Sequence, residues 1–483
     1  MKLYIKNYEM NLEAAEGALL LRVLQDQGLV VDAPCGGKGT CGKCKVLVDG
    51  EEKLACQTRV DRDMTVELPQ SGKTEVLTGG VEVKARPDGT DDYALAFDVG
   101  TTTVVAYLMD GHTGQVLAKA SCVNPQSQYG ADVISRIQYA MDGQARQLSQ
   151  CIRDALSQLT KQAAKDAHIQ ADAITAVSLV GNTAMHHLLL EIDPKPLTVP
   201  PYMPSVSHAM EVAADFLPVA PQAKLRILPN IAGFVGADTV GCLVATEFDK
   251  LDDITLMIDI GTNGEMVLGN KEGFLACSTA AGPAFEGAKI SCGMRGAAGA
   301  VDHVWLENAE VKHSVIGGGE TVGLCGSGLL DLTAVLLQTG DIDETGRMEN
   351  DDYTIPNTRV TLTQKDVREV QLAKAAIRAG IELMCRKRGI EPGEIQKVYL
   401  AGAFGSFMDP ASACYIGMIP PCLENRIESI GNAAGTGARA CALSREAYRY
   451  SSVLAQKAEF LELASMPEFN ECYVDCLLFE EEE

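Results

Sequence analysis

Two groups of residues in this chain have the types and spacing that chemistry needs. The first is Cys35-Gly-Gly-Lys-Gly-Thr-Cys41-Gly-Lys-Cys44, followed after eleven residues by Cys56 in Lys-Leu-Ala-Cys-Gln. Four thiolates are the number one iron-sulfur cluster takes, because each iron is tetrahedral and thiolate favours soft metals. Glycines at 36, 37, 39 and 42 let the backbone wrap closely and aim N–H groups at cluster sulfurs, where donors stabilise negative charge. A zinc site is the alternative, yet zinc ribbons favour paired C-x2-C knuckles and need no such density of glycine.

The second group is a pair of turns, Asp98-Val-Gly-Thr-Thr-Thr103 and Asp259-Ile-Gly-Thr-Asn-Gly-Glu265, set 161 residues apart. A strand that ends in Asp-x-Gly-Thr and turns back exposes successive backbone N–H groups and a hydroxyl, which cradle phosphate oxygens. The carboxylate beside them can hold a hydrated magnesium ion through its waters. Two unrelated hairpins would explain either turn alone. The pair, in like surroundings, points to facing halves of one phosphate site across a cleft.

The elements around these residues follow from periodicity. Leu95–Lys119 and Leu256–Ala276 each read as three apolar runs, the last two joined by a glycine-containing turn (Gly111–Gly114; Asn270–Gly273), which predicts a strand meander in each half and a duplicated unit. Helical spacing is clearest in Gly143–His168 and Asp366–Arg388, with Gly389 as C-cap and Pro392 as stop. A strand, Val398–Leu400, then runs into the small-residue turn Ala401-Gly-Ala-Phe-Gly-Ser406. Near the N-terminus, alternation in Lys2–Tyr8, Lys45–Asp49 and Thr65–Leu68 with a helix around Ala18–Gln27 predicts a small β-grasp-like α+β domain. The stretch from about Leu68 to Asp92 is rich in Gly, Pro and small polar residues, as a linker with a strand or two would be. The resulting division is a ferredoxin-like domain over 1–84, a linker over 85–92 and an α/β two-lobed region over 93–483, with lobe I at about 93–250 and lobe II at about 251–483.

Composition narrows the partners. The 483 residues carry 41 Lys+Arg against 65 Asp+Glu, a formal charge of −24, so the long-range field repels nucleic acid and anionic lipid. The apolar stretch Ala18–Leu21 is closed at once by Arg22, and no segment approaches the ~20 apolar residues of a membrane span. A cytoplasmic protein is expected. The twelve further cysteines, from Cys122 to Cys476, share no spacing and read mostly as buried small hydrophobes, with metal chelation by Cys472-x3-Cys476 the lesser alternative.

The first 80 or so residues resemble plant-type and adrenodoxin-like 2Fe-2S ferredoxins, although Cys56 follows Cys44 more closely than in the photosynthetic members. That resemblance implies a 2Fe-2S cluster on Cys35, Cys41, Cys44 and Cys56. The paired turns resemble those of the sugar kinase, heat-shock chaperone and actin superfamily, implying a ribonuclease H-like, duplicated, actin-like ATPase that binds ATP with Mg2+. By it, Asp98 and Asp259 organise magnesium and water, while Gly100, Thr101, Thr102, Thr103, Gly261, Thr262, Asn263 and Gly264 hold phosphates. Gly402, Ala403 and Gly405 would lie near the nucleoside. Gly323–Gly328, at the start of a helix, is a weaker candidate for the same pocket, and Gly181-Asn-Thr183 is placed near the γ-phosphate. Glu286, in Ala281–Gly287, either orients a water or belongs to an ordinary loop; His186 and His187 read as packed helix residues.

The whole chain is similar to the reductive activators of corrinoid proteins, through GNTAMHHLLL, PNIAGFVGAD, AGPAFEGA, GLCGSGLLDL and ELASMPEF. This implies ATP-dependent transfer of one electron from the cluster to cobalt(II) of a corrinoid (cobalamin-binding) protein in a methyltransferase system, regenerating cobalt(I). An upstream low-potential donor would recharge the cluster, and a homodimer through the ATPase lobes is among the arrangements the resemblance allows. Compared with longer members, the chain lacks a separate middle domain. Two other readings stand beside this one: a small-molecule kinase with a redox-sensing ferredoxin domain, and a non-enzymatic electron carrier. Activators of 2-hydroxyacyl-CoA dehydratases resemble the chain only in the ATPase half.

Overall fold

Lys2 and Tyr4 face solvent while Leu3 and Ile5 are buried, so the computed structural model opens on a half-buried strand, β1 (Lys2–Ile5). It describes residues 1–27, 29, 31, 33, 37, 39, 42–68, 81–130 and 132–479. After β1 come β2 (Met10–Glu13), α1 (Leu20–Asp26), β3 (Lys45–Val48), β4 (Glu51–Leu54) and β5 (Met64–Glu67), in a sheet ordered β2-β1-β5-β3-β4. The pairing β1–β5 is parallel and the rest antiparallel, the β-grasp pattern. Leu20, Leu21 and Leu24 of α1 close this sheet over Leu3, Ile5, Val46, Val48 and Val66. The strand expected over Lys2–Tyr8 stops at Ile5, because Lys6–Tyr8 turns as a 3-10 helix ending on left-handed Glu9. β4 carried no apolar alternation to reveal it, its Glu51, Glu52 and Lys53 suiting a polar edge strand.

Lobe I contains β6 (Tyr93–Val99), β7 (Thr103–Asp110), β8 (Val116–Val123), α2 (Val133–Tyr139), α3 (Ala145–Asp166), β9 (Ile174–Gly181), α4 (Thr183–Leu190), β10 (Met210–Ala213), β11 (Lys224–Ile227) and α5 (Ala237–Thr246). Lobe II continues with β12 (Thr255–Ile260), β13 (Gly264–Asn270), β14 (Gly273–Thr279), β15 (Ala300–Glu307), β16 (Glu310–Val315), β17 (Gly323–Leu324), α6 (Gly326–Thr339), β18 (Asp352–Thr354), β19 (Thr361–Thr363), α7 (Gln364–Arg388), β20 (Lys397–Ala401), α8 (Gly402–Phe407), α9 (Pro410–Tyr415) and β21 (Ile427–Gly431). The chain ends with α10 (Ala433–Leu443), α11 (Arg445–Lys457), β22 (Ala458–Phe460) and α12 (Phe469–Asp475). The sheet orders are β10-β11-β9-β6-β7-β8 and β21-β20-β12-β13-β14-β22. Five strands of each correspond, β11-β9-β6-β7-β8 with β21-β20-β12-β13-β14, so the two meanders head a duplicated sheet. Helix α3 starts at Ala145, just past Gly143 at φ 88°, and α7 starts one residue after Thr363, whose hydroxyl forms a capping box with Asp366.

Between the sheets lies a layer that both lobes build. Helix α10, although late in the chain, packs on β6 and β9 of the first sheet, and α5 crosses it. Val180, Leu243, Met257, Val267, Ala401, Ala438 and Cys441 meet in one apolar cluster there. The crossing is backbone to backbone: a Cβ on Gly437 would lie 2.0 Å from the Gly241 carbonyl oxygen. Residues 81–92 run beside α10, with Val81 N–H donating to the Ile430 carbonyl at 3.2 Å and Asp88 N–H to that of Leu443 at 3.0 Å. They form no strand, which corrects the expectation for that part of the linker; residues 69–80 lie outside the described residues.

Candidate functional site

The first turn, Gly100–Thr103, is held by its carbonyls. Gly100 O accepts from Asn124 Nδ2 at 2.8 Å, Thr101 O from Arg136 Nη2 at 2.6 Å, and Thr102 O from Asn124 N at 2.8 Å. With every carbonyl tied back into lobe I, the amides of Thr101 and Thr102 are left as donors that meet no acceptor among the described residues. Arg136 is fully buried and donates also to Gly130 O at 2.8 Å. Burial pulls its pKa down to about 10, which leaves it charged at neutral pH. Asn182, the N-cap of α4, donates to Thr101 Oγ1 at 2.8 Å, which sets Gly181-Asn-Thr183 beside this turn. The second turn has similar wiring, one residue tighter: Gly261 N bonds Asn263 O at 2.9 Å where Gly100 N bonds Thr103 O at 2.9 Å.

Four carboxylates gather beside the turns. Asp98 and Asp259 are the second-last residues of β6 and β12; Glu265 stands directly opposite Asp259 in the β12–β13 ladder, and Asp238 lies in the first turn of α5. Like charges directly opposed across a ladder are destabilising. Burial pushes Asp98 and Asp259 up to about 6 and, with their charges, Asp238 up to about 7; Glu265 is also raised, by burial and then by Asp238 and Asp259. Asn432 Nδ2 donates to Asp98 Oδ2 at 2.7 Å and offsets part of that shift. No three potential ligands among the described residues are placed to bind a metal directly. Such a site fits a hydrated divalent cation held through its waters, which would also remove the mutual repulsion.

Gly402, at φ +80°, belongs to this arrangement: a Cβ there would sit 2.5 Å from Asp259 Oδ1. Gly405 packs on Leu400, while Ala403 is exposed on α8. The start of α6 is locked nearby, since Phe285 stacks on Phe404 with centroids 4.8 Å apart and a Cβ on Gly326 would meet Phe285 O at 2.0 Å. His186 and His187 are packed as expected, bonded to Asn230 at 2.8 Å and Thr183 O at 2.7 Å. Asp238 and Asn432 were not singled out from the sequence; both reach the cleft on helices that cross between the lobes.

The raised carboxyls give the site a pH signature. In nucleotide-free protein they bind protons that the unfolded chain has released between about pH 4 and 7, so their contribution to stability falls as pH rises through that window. Asp238→Asn is therefore expected to raise the melting temperature by a few degrees over wild type above about pH 7, an advantage that vanishes near pH 4. Parallel melting curves of the two proteins from pH 4 to 8, without magnesium or nucleotide, check the sign.

In the N-terminal unit, Cys44 and Cys56 are buried, with Ala55 N–H donating to Cys44 O at 2.8 Å. Gly37, Gly39 and Gly42 are left-handed, and a Cβ on Gly37 would come within 3.8 Å of Cys56 Cβ and 3.1 Å of Leu21. Gly37 thus leaves room for the chain to pass close to Cys56, the close approach a cluster loop requires. Cys35 and Cys41 lie outside the described residues. The unit touches both lobes: Gln25 Nε2 donates to Gln128 O at 3.1 Å, and Lys43 Nζ donates to Gly293 O at 3.0 Å and Ile290 O at 3.4 Å.

Comparison with known proteins bears on both halves. Residues 3–61 match a 2Fe-2S iron-sulfur cluster binding domain, 93–251 a family model described as the RACo middle region, and 253–483 the C-terminal domain of RACo, the ASKHA domain. The corrinoid activation enzyme RamQ of Eubacterium limosum is 31% identical over 589 aligned positions, covering 99% of each chain. The [Co(II) methylated amine-specific corrinoid protein] reductase of Methanosarcina barkeri is 28% identical over 277 positions, 52% of this chain and 51% of its own. A solved reductive activator for corrinoid,iron-sulfur protein superposes with a TM-score of 0.73 at 29% identity, over 99% of this chain and 98% of its own. The region that bears the middle-region description is thus present, as lobe I. The alignment with RamQ is longer than this 483-residue chain, so that relative carries residues with no counterpart here.

Proposed function

Because this chain belongs to the family of reductive activators of corrinoid proteins, we propose that it passes one electron at a time to cobalt(II) in a partner corrinoid protein and regenerates cobalt(I), with ATP making the step feasible. The chain combines a 2Fe-2S ferredoxin domain with an ASKHA domain that binds ATP. The observation that carries the proposal is the contact of Lys43, one residue before Cys44, with lobe II of the ATPase. A plain electron carrier with the second domain as a docking platform predicts no nucleotide binding, and the paired Asp-x-Gly-Thr turns argue against it.

The geometry of the described residues supports the following roles. Cys35, Cys41, Cys44 and Cys56 are the proposed cluster ligands. The amides and hydroxyls of Gly100–Thr103 and Gly261–Gly264 hold phosphates, Asp98 and Asp259 orient the hydrated cation and a water, and Gly402, Ala403 and Gly405 border the nucleoside. When bound, the cluster supplies single electrons and the magnesium nucleotide supplies binding energy. For a one-electron step each tenfold shift in equilibrium corresponds to about 59 mV, so differential binding of the partner in two lobe arrangements is a usable source of driving force. We further assign 1–84 to the ferredoxin domain, 85–92 to the linker and 93–483 to the ATPase, in a cytoplasmic protein recharged by a low-potential donor and able to pair as a homodimer. A net charge of −24 favours a partner with a basic docking face. Among the described residues no helix is long and apolar enough to cross a membrane.

The test is anaerobic: reduce the purified protein, confirm its cluster by electron paramagnetic resonance, mix it with a cobalt(II) corrinoid protein and follow cobalt(I) absorbance with and without ATP. ATP-dependent cobalt(I) is the expected result. An intact cluster with no ATP-dependent cobalt chemistry across several corrinoid proteins would overturn the proposal.

A further inference from the structure

One carboxylate joins the two phosphate turns. Glu286 Oε1 accepts from Thr262 Oγ1 at 2.6 Å and Glu286 Oε2 accepts from Thr102 Oγ1 at 2.9 Å. Thr102 belongs to lobe I and Thr262 to lobe II, so this anion spans the cleft and takes both turn hydroxyls as a terminal phosphate would. Two anions cannot share those donors: like charges repel, and each hydroxyl has one proton to give.

The segment behind Glu286 leads to the cluster. Glu286, Gly287 and Ala288 close a compact turn on Pro283 and Ala284. Gly287 and Gly293 then pack backbone to backbone, a Cβ on Gly293 falling 2.3 Å from Gly287 O and one on Gly287 falling 2.5 Å from Met294 O. With no side chain between them to absorb a shift, displacement at 286–287 carries to 293. Gly293 O and Ile290 O are the two acceptors of Lys43 Nζ, beside Cys44.

We propose that Glu286 is the nucleotide-sensing residue that couples ATP to the cluster: it stands in for the terminal phosphate in nucleotide-free protein, and the phosphate of ATP expels it, shifts 286–293 and releases Lys43. The ferredoxin unit then leaves its place on lobe II and is free to approach the corrinoid partner. ADP, lacking that phosphate, leaves the latch closed. This coupling rests on the ATP site proposed above.

The test uses the cluster-loaded full chain, hydrogen exchange with a non-hydrolysable ATP analogue or ADP, and calorimetric titration. The analogue, and not ADP, is expected to raise exchange in peptides covering 286–293 and 42–44, while both nucleotides protect 100–103 and 261–264. Glu286→Ala should show the raised exchange without nucleotide and bind the analogue roughly tenfold more tightly, the effect of removing a competitor that leaves the open state about one-tenth populated. Glu286→Gln, which drops the charge and can accept from only one of the two hydroxyls, its NH2 having to donate to the other, should tighten binding by less. Protection of both turns with no change at 286–293 or 42–44, or weaker binding by Glu286→Ala, would overturn the latch and spare the ATP site. No protection of the turns in wild type would overturn both.

Discussion

Asp259→Asn is expected to lower ATP-dependent formation of cobalt(I) by about two to three orders of magnitude, the size of loss seen when one preorganised electrostatic group is removed from a reacting site, here the carboxylate that orients the cation and a water. Iron content and the cluster's electron paramagnetic resonance should be unchanged, because Asp259 lies in lobe II while Cys44 and Cys56 belong to a separate apolar core. Asparagine keeps the volume that Gly402 leaves for the side chain, so shape is preserved while charge is lost. Removing one of four mutually repelling carboxylates also relieves Glu265, directly opposite. The variant should therefore melt at or above the wild-type temperature at neutral pH, which separates lost chemistry from lost folding. Wild-type cobalt(I) formation by Asp259→Asn, with ATP present and the cluster loaded, would remove Asp259 from the proposed machinery.

What the sequence disclosed about this site depended on how locally each part is built. Asp98, Asp259 and the residues after them sit in one strand and one tight turn each, so type and spacing within a few positions make the proposed phosphate cradle legible. The duplication was legible for the same reason, because each meander is a contiguous run. Asn432 is different: it reaches Asp98 across 334 positions, and only the return of α10 to the first sheet brings it there. Asp238 likewise arrives on α5, where Gly236 allows the close approach to Asn182 at the head of α4. The bridging bonds of Glu286 could not be read from AGPAFEGA, since both partners belong to other turns. In the ferredoxin unit β1, β3 and β5 announced themselves, whereas the edge strands β2 and β4 did not, their mostly exposed residues fitting an edge rather than a core. Cys35 and Cys41, the plainest of the sequence assignments, fall outside the described residues.

The crossing of α5 and α10 yields a second large effect. Gly437→Ala places a Cβ 2.0 Å from the Gly241 carbonyl oxygen and 2.5 Å from its carbonyl carbon, both backbone atoms that no rotamer change can move. The helices must part, and overpacking of this kind costs about 1–3 kcal/mol, which outweighs the ~1 kcal/mol that alanine gains over glycine in a helix. Because α10 carries Asn432 at its N-terminus and α5 carries Asp238, separating them also moves both groups relative to Asp98. Gly437→Ala is thus expected to lower the urea midpoint and to weaken magnesium-nucleotide binding by about tenfold or more, equivalent to ~1.4 kcal/mol. Gly241→Ala, whose Cβ would stand 2.8 Å from Ala434 O, should do the same to a smaller degree. Equal or higher stability of Gly437→Ala, or unchanged nucleotide affinity, would show that the lobes do not depend on this contact to align their two halves of the site.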